Sequence, residues 1–255
     1  MVRTAIITGA TGGIGSEFAK QLAEKKWNLI LTGRNTTKLL LMQKELEKNY
    51  SIKVKTIVAD LTISHDREML ITKLKKESRI DMLVNNAGFG VGNLFLNEKE
   101  SWENMINLHI TATVDLTREI LPLILKQKKS YLINVASLAG FFPLKNSVIY
   151  SASKSFLISF SESLHLELSE KGLRVQVLCP GFTKTNFFAN TQTKELAKNQ
   201  SIASWMSPVD VVRKSLFDLE HKSIVICVPG WKNRFLKLID WLIPRRLYYY
   251  ILKHS

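Results

Sequence analysis

Tyr150 and Lys154 stand four residues apart in Tyr150-Ser151-Ala152-Ser153-Lys154, so on a helix their side chains share one face. A phenol titrates near 10 and is a poor base at neutral pH. A neighbouring ammonium favours the phenolate and brings that value down, which suits the pair to reversible proton transfer at a carbonyl oxygen. On its own such a pair is an ordinary surface contact. Ser137 adds to it, thirteen residues earlier and just past an apolar strand-like run. A hydroxyl at the C-terminal end of a strand can point into a ligand crevice, though the same serine could serve as a helix cap or turn residue.

A second group of residues could hold the reaction partner. Thr8-Gly9-Ala10-Thr11-Gly12-Gly13-Ile14-Gly15 joins an apolar run to a helical-period segment. A glycine turn between strand and helix lets backbone N–H groups and the helix N-terminus approach a pyrophosphate. Gly9 supplies the turn, Gly13 the close approach and Gly15 the tight helix packing. The next strand ends in Leu31-Thr32-Gly33-Arg34-Asn35, with no acidic residue at positions 31 to 36. An NAD site usually offers a carboxylate there to the ribose hydroxyls. Arg34 instead suits a 2′-phosphate, which favours NADP(H), with NAD(H) as the alternative.

The elements that must position these groups follow from hydrophobic period. Thr4–Thr8, Asn28–Thr32, Lys53–Ala59, Met82–Asn85, Tyr131–Val135, Arg174–Leu178 and Ser223–Val228 read as strands. Several are unbroken Val/Ile/Leu runs, the pattern of strands buried on both faces. Between them, Gly13–Lys26, Thr37–Asn49, His65–Ser78, Ser101–Lys126, Tyr150–Lys171 and Pro208–Glu220 read as helices, the last capped by Ser207 with proline at its first position. The alternation predicts an α/β fold with three layers: a doubly wound Rossmann fold, its sheet mostly parallel with about seven strands and helices on both faces. Residues 1–229 are expected to form one dinucleotide-binding and catalytic domain.

Taken together, these residues resemble the short-chain dehydrogenase/reductase family, from Thr4 to about Pro229. The resemblance implies that Ser137 stabilises the carbonyl oxygen and Tyr150 passes the proton. Lys154 would bind the nicotinamide ribose and lower the tyrosine pKa. It also implies a fourth catalytic residue, Asn107 in Met105-Ile106-Asn107-Leu108, holding a water, with Asn104 as the nearby alternative. Asp60-Leu61 resembles the pair at the adenine ring, and Asn85-Asn86-Ala87-Gly88 the segment beside the cofactor. Pro180-Gly181 with Thr183 and Thr185 resembles the loop at the carboxamide and phosphates. The cofactor set implied is thus Thr8, Gly9, Thr11, Gly13, Ile14, Gly15, Arg34, Asp60, Leu61, Asn86, Ala87, Gly88, Tyr150, Lys154, Pro180, Gly181, Thr183 and Thr185. Family members commonly form dimers or tetramers, so a homo-oligomer is the expectation. A non-catalytic NADP-binding scaffold or redox sensor is the competing function.

The substrate side is rich in apolar groups: Phe182, Phe187, Phe188, Ile202, Trp205 and Met206 between Phe182 and Pro208, and Phe89, Leu138, Phe141, Phe142 and Leu144 elsewhere. As a group they lean toward a lipid-like, acyl or steroid-like ketone or alcohol rather than a sugar, although core packing explains any single one.

After Pro229-Gly230 the character changes. Trp231, Phe235, Leu238 and Leu242 fall along one helical face, and Asn233, Lys237 and Asp240 lie opposite. Pro244 ends that helix. From Trp231 to Ser255 there are six lysines and arginines against one aspartate. Residues 230–255 therefore form a basic, aromatic helical extension that could touch a membrane surface, pack on the body or join two copies.

Composition bounds the rest. The 36 basic and 22 acidic residues leave a net charge of +14, which favours anionic partners such as phosphorylated cofactors. The basic residues sit in no recognisable nucleic-acid module, so nucleic acid is not an expected partner. Two unpaired-looking cysteines, Cys179 and Cys227, argue against a disulfide framework and a zinc site, and no metal is expected. With neither a leader pattern nor an apolar run of roughly 20 residues, a cytoplasmic protein is expected, with the membrane surface as a further location.

Overall fold

The computed structural model describes residues 2–90, 95–96, 99–185, 187 and 205–254, with backbone only at 99–100, 240–241 and 251–254. Seven parallel strands form one sheet: β1 (Thr4–Thr8), β2 (Asn28–Gly33), β3 (Val54–Val58), β4 (Met82–Asn85), β5 (Ser130–Val135), β6 (Leu173–Leu178) and β7 (Ile226–Cys227). Their order is β3-β2-β1-β4-β5-β6-β7. The chain winds outward from β1 in one direction, then returns to β4 on its other side. The crevice between the ends of β1 and β4 is the switch point where open α/β sheets bind ligands.

Alternate residues of the strands feed two cores, because successive side chains point to opposite faces. Ala5, Ile7, Leu29, Leu31, Val84 and Ile133 pack with Phe18 and Leu22 of α1 (Gly13–Glu24), Leu39 of α2 (Thr36–Tyr50) and Leu216 of α7 (Pro208–His221). Ile6, Ile30, Leu83 and Leu132 pack on the other side with Leu70 of α3 (Ser64–Leu74) and Leu116 and Ile120 of α5 (Ala112–Ile124). Burial on both faces explains why these strands read as continuous apolar runs. Ser207 caps α7 as expected, accepting from the Val209 N–H at 3.1 Å.

Several boundaries depart from the sequence expectation; α3 (Ser64–Leu74), for one, ends four residues before the expected Ser78. The segment 101–126 is not one helix: α4 (Lys99–Ile106) leads into a π-helical turn, Asn107–Thr111, before α5 begins. Ser223–Val228 contributes only the two-residue β7, pairing with Val177 and Leu178 at the sheet edge. The helix bearing Tyr150, α6 (Val148–Leu168), starts two residues early and tightens to a 3-10 turn over Ser169–Lys171. The C-terminal extension holds two helices: α8 (Trp231–Leu242) ends just before Pro244, as expected, and a second helix, α9 (Arg245–His254), follows it. No helix among the described residues is long and apolar enough to cross a membrane.

Candidate active site

β5 delivers Ser137 to the crevice. Ser137 serves as cap and as site residue at once. Its oxygen accepts from the Ala139 N–H at 3.2 Å, capping the 3-10 turn Leu138–Gly140, and it hydrogen-bonds the Tyr150 phenol.

α6 carries Tyr150 and Lys154 on adjacent turns. Lys154 is buried and donates to the Val135 carbonyl at 3.0 Å, which ties the helix to the end of β5. Its Nζ lies 5.6 Å from the Tyr150 ring centre. Burial pushes the Lys154 ammonium down to about 8, since desolvation penalises the charged form. Burial likewise pushes the Tyr150 phenol up to about 12, with the Ser137 hydrogen bond pulling the other way.

A deeper polar network supports this helix. Asn85 at the end of β4 donates to Asn134 of β5 at 2.9 Å and to Thr117 at 3.0 Å. Asn134 in turn donates to Ser161 of α6 at 2.9 Å. These buried side chains tie two strands and two helices together beneath the site through three hydrogen bonds, while the Asn85 side-chain oxygen is left without a partner.

Asn107 opens the π-helical turn, where its carbonyl accepts from the Ala112 N–H five residues on. Such turns often mark functional positions. Asn104 remains one turn earlier, in α4. The same π turn brings in a residue that sequence reasoning passed over, His109. It is fully enclosed, with the Phe89 N–H donating to its Nε2 at 3.2 Å. That leaves the proton on Nδ1, which lies 2.9 Å from the Ser153 hydroxyl; Ser153 donates to the Tyr150 carbonyl at 2.8 Å. Desolvation first, and the Lys154 charge second, hold the imidazole well below its ordinary range, so it is neutral. A lone histidine in an apolar helical run carries no distinguishing pattern, and only its tertiary partners reveal it.

The glycine loop lies beside these groups. Gly9 adopts φ +62°, open to glycine at little cost. Gly15 is the tightest point: a Cβ there would lie 2.3 Å from the Gly9 carbonyl and 2.4 Å from Asn86 Nδ2. Asn86 braces the loop by donating to the Thr8 and Gly9 carbonyls at 2.9 and 3.2 Å. Thr8 accepts from the Asn86 and Ala87 N–H groups, both at 2.9 Å, so its hydroxyl joins β1 to β4 at the switch point. Gly12, by contrast, faces open space, and the N-terminus of α1 borders it. Ile14 packs on the core below, and Thr11 lies against Gly33. This is a cradle with exposed backbone above and no room for side chains within, which fits a pyrophosphate.

Gly88 lies against His109 and Lys154, and Thr185 packs over Gly13. The Pro180 carbonyl accepts from the Leu138 N–H at 3.0 Å, and Thr183 donates to the Gly181 carbonyl at 3.0 Å. Arg34 ends β2 with its guanidinium 75% exposed and 3.7 Å from Asp60. Asp60 itself accepts from the Thr62 N–H and hydroxyl. Leu61 is buried in the core under α3, so its side chain packs rather than faces a ligand. Phe188 and Ile202 lie outside the described residues. Phe187 does reach the site, its ring 5.9 Å from that of Tyr150, and Phe182 pairs with Trp205 at 5.5 Å.

Residues 3–196 match the family model described as short chain dehydrogenase. An uncharacterised oxidoreductase of Staphylococcus saprophyticus is 32% identical over 225 residues, covering 88% of this chain and 93% of its own length. A 3-oxoacyl-[acyl-carrier-protein] reductase of Buchnera aphidicola is 33% identical, covering 78% of this chain and 81% of its own. Among solved structures, a short-chain dehydrogenase from Sphingobium yanoikuyae in complex with NADPH superposes with a TM-score of 0.83 at 28% identity, covering 93% of this chain and 92% of that one. The chain therefore belongs to the short-chain dehydrogenase family and is an oxidoreductase of alcohol and carbonyl groups.

Proposed function

We propose that this protein is an NADPH-dependent reductase of a hydrophobic ketone, with residues 1–229 as its dinucleotide-binding and catalytic unit. The observation that carries it is the convergence of Ser137, Tyr150 and Lys154 on one side of a glycine cradle at the switch point. Gly9, Gly13 and Gly15 would hold the pyrophosphate, and Lys154 and the 86–88 segment the nicotinamide half. When bound, the cofactor supplies hydride. The chain supplies the proton and its path.

Ser137 hydrogen-bonds the substrate oxygen and Tyr150 donates the proton to it as charge develops. A phenol at about 12 is fully protonated at neutral pH, so it stands ready as an acid in the reductive direction. Lys154 opposes the phenolate left behind, and the buried ammonium acts there in a medium that screens little. Asn107 would hold a water connecting Lys154 to solvent.

Arg34 supports NADPH over NADH, because it stands exposed at the end of β2 where a carboxylate would otherwise meet the ribose. The reading is consistent with the NADPH bound by the Sphingobium relative. For the substrate, Phe187 sets an aromatic ring beside Tyr150, and Phe141 and Phe142 pack on the small core around Leu138, giving the side next to Ser137 an apolar surface. An acyl ketone fits that surface, and the Buchnera relative is named for a 3-oxoacyl substrate. The test is NADPH oxidation over a panel of 3-oxoacyl, steroid and short ketones. Turnover on the bulky apolar members, lost in Tyr150→Phe while NADPH still binds, is expected. Full activity in that variant, or NADPH binding with no turnover on any member, overturns the proposal; the second outcome leaves a cofactor-binding scaffold.

A further inference from the structure

The C-terminal helix α8 is mounted with its polar side toward the body. Asn233 is its buried residue: it donates to the Pro229 carbonyl at 2.8 Å and lies against Gly181, where a Cβ would sit 2.7 Å from its side-chain oxygen. Lys237, one turn on, is half-buried, its ammonium 4.7 Å from the Phe141 ring centre. The apolar stripe points the other way. Trp231 is 69% exposed, Phe235 56%, Leu238 51% and Leu242 63%. A helix that packs on its own protein buries its apolar stripe and leaves the charged side in water. Here the arrangement is reversed, and past Pro244 Leu247 and Tyr249 of α9 are exposed as well. Tyr248 fixes α9 to the body by donating to the Pro143 carbonyl at 3.0 Å.

We infer that this stripe docks on an anionic lipid bilayer. The choice of partner comes from charge. Lys232 and Arg234 flank the stripe on either side, and Arg245 and Arg246 follow, all exposed. Residues 231–255 carry six cationic side chains and one acidic one, on a protein of net charge +14. A second copy meeting this face about a twofold axis would set the same cations against each other, since such an interface joins a patch to itself. A bilayer surface rich in anionic headgroups accepts both the apolar side chains and the flanking cations, whose long stems let the charges reach headgroup level. Trp231 and Tyr249 are the residue types that favour that boundary. The helices that carry this face contact the segment after Ser137 from their other side, at Phe141 and Pro143. The inference does not depend on which ketone is reduced.

The test is flotation of the full chain with vesicles of phosphatidylcholine alone or with phosphatidylglycerol. Binding to the anionic vesicles is expected, with little to the neutral ones, and salt of about 0.5 M should weaken it severalfold. Replacing Trp231, Phe235, Leu238 and Leu242 together by serine should reduce flotation by at least about tenfold. Lys232→Glu with Arg234→Glu and Arg246→Glu should do likewise. Both variants should keep the wild-type circular dichroism and thermal midpoint, which separates lost docking from lost folding. Equal flotation of wild type and stripe variant overturns the inference. So does sedimentation showing a wild-type dimer that the serine variant dissolves while its flotation is unchanged, since the stripe would then join two copies.

Discussion

His109 Nδ1 lies 2.9 Å from the Ser153 hydroxyl, and through Ser153 it reaches the backbone carbonyl of Tyr150. Its other nitrogen accepts from the Phe89 N–H, so one neutral ring spans the segment after β4 and the first turn of α6. It thereby links the segment after β4 to the helix that carries Tyr150.

Removing that ring should therefore cost activity as well as stability. His109→Ala leaves the Phe89 N–H and the Ser153 hydroxyl short of a partner, each worth about 1–3 kcal/mol when buried. Urea denaturation should show the loss, and kcat should fall more than KM rises. His109→Gln, which keeps an acceptor at similar reach, should recover part of both. An unaltered kcat in the alanine variant would leave His109 a packing residue only.

The same ring gives a pH signature. Its folded value is depressed well below the ordinary 6.5, so the unfolded chain takes up the proton first as pH falls. The stability His109 contributes is present above about 6.5 and is lost as pH drops toward the folded value. Wild type should lose stability faster than His109→Gln below about pH 6. Parallel curves would contradict the assignment.

Lys154 should weigh against stability while serving the chemistry. Its folded value is lowered from 10.5 to about 8, so burying the ammonium costs folding energy at neutral pH. The relief that comes with a neutral amine is complete above about 10.5 and disappears as pH falls through about 8. Lys154→Met removes the charge and leaves the Val135 carbonyl without its donor, a smaller loss. At pH 7 the variant should be inactive yet melt no lower than wild type. A clearly lower midpoint would show that the lysine stabilises the fold.

Gly15→Ala should damage the cradle. The new Cβ would meet the Gly9 carbonyl at 2.3 Å, and backbone cannot swing aside as a side-chain tip can. Overpacking of this sort costs about 1–3 kcal/mol. Calorimetry should show weaker NADPH binding along with the lower thermal midpoint. Wild-type affinity would remove the cradle from the cofactor site.

Arg34→Ala tests cofactor choice. Losing charge-assisted hydrogen bonds to a 2′-phosphate costs about 1.5–3 kcal/mol, roughly ten- to a hundredfold in NADPH affinity. NADH, lacking that phosphate, should bind as before. An equal effect on both would transfer the selectivity to another residue.

Much of this architecture was legible from residue order alone. Unbroken apolar runs separated by helical periods determine strands buried on both faces, and that alternation leads to a parallel sheet. The glycines of the first turn, and the i, i+4 spacing of Tyr150 and Lys154, are local facts, because a turn or one helical face involves only near neighbours. Ser137 was legible as a residue at a strand end. The length of the strand after Ser223 was not, since pairing at a sheet edge depends on how much of β6 is left to receive it. The break at Asn107 was also hidden, because a π turn differs from a helix by one hydrogen bond and leaves the apolar period nearly intact.

Tertiary structure alone decided what surrounds the catalytic pair. His109, Asn85 and Asn134 are ordinary residues in sequence; contacts 27 to 49 positions away make them a support for α6. It also decided the state of Tyr150, whose phenol is pushed up by burial and pulled the other way by Ser137. The C-terminal helix makes the same point. Its two faces were plain from a 3.6-residue period, but periodicity does not say which face meets the body. Asn233 settled that: its side chain donates to the Pro229 carbonyl and lies against Gly181, which turns the polar side inward and leaves the apolar stripe exposed.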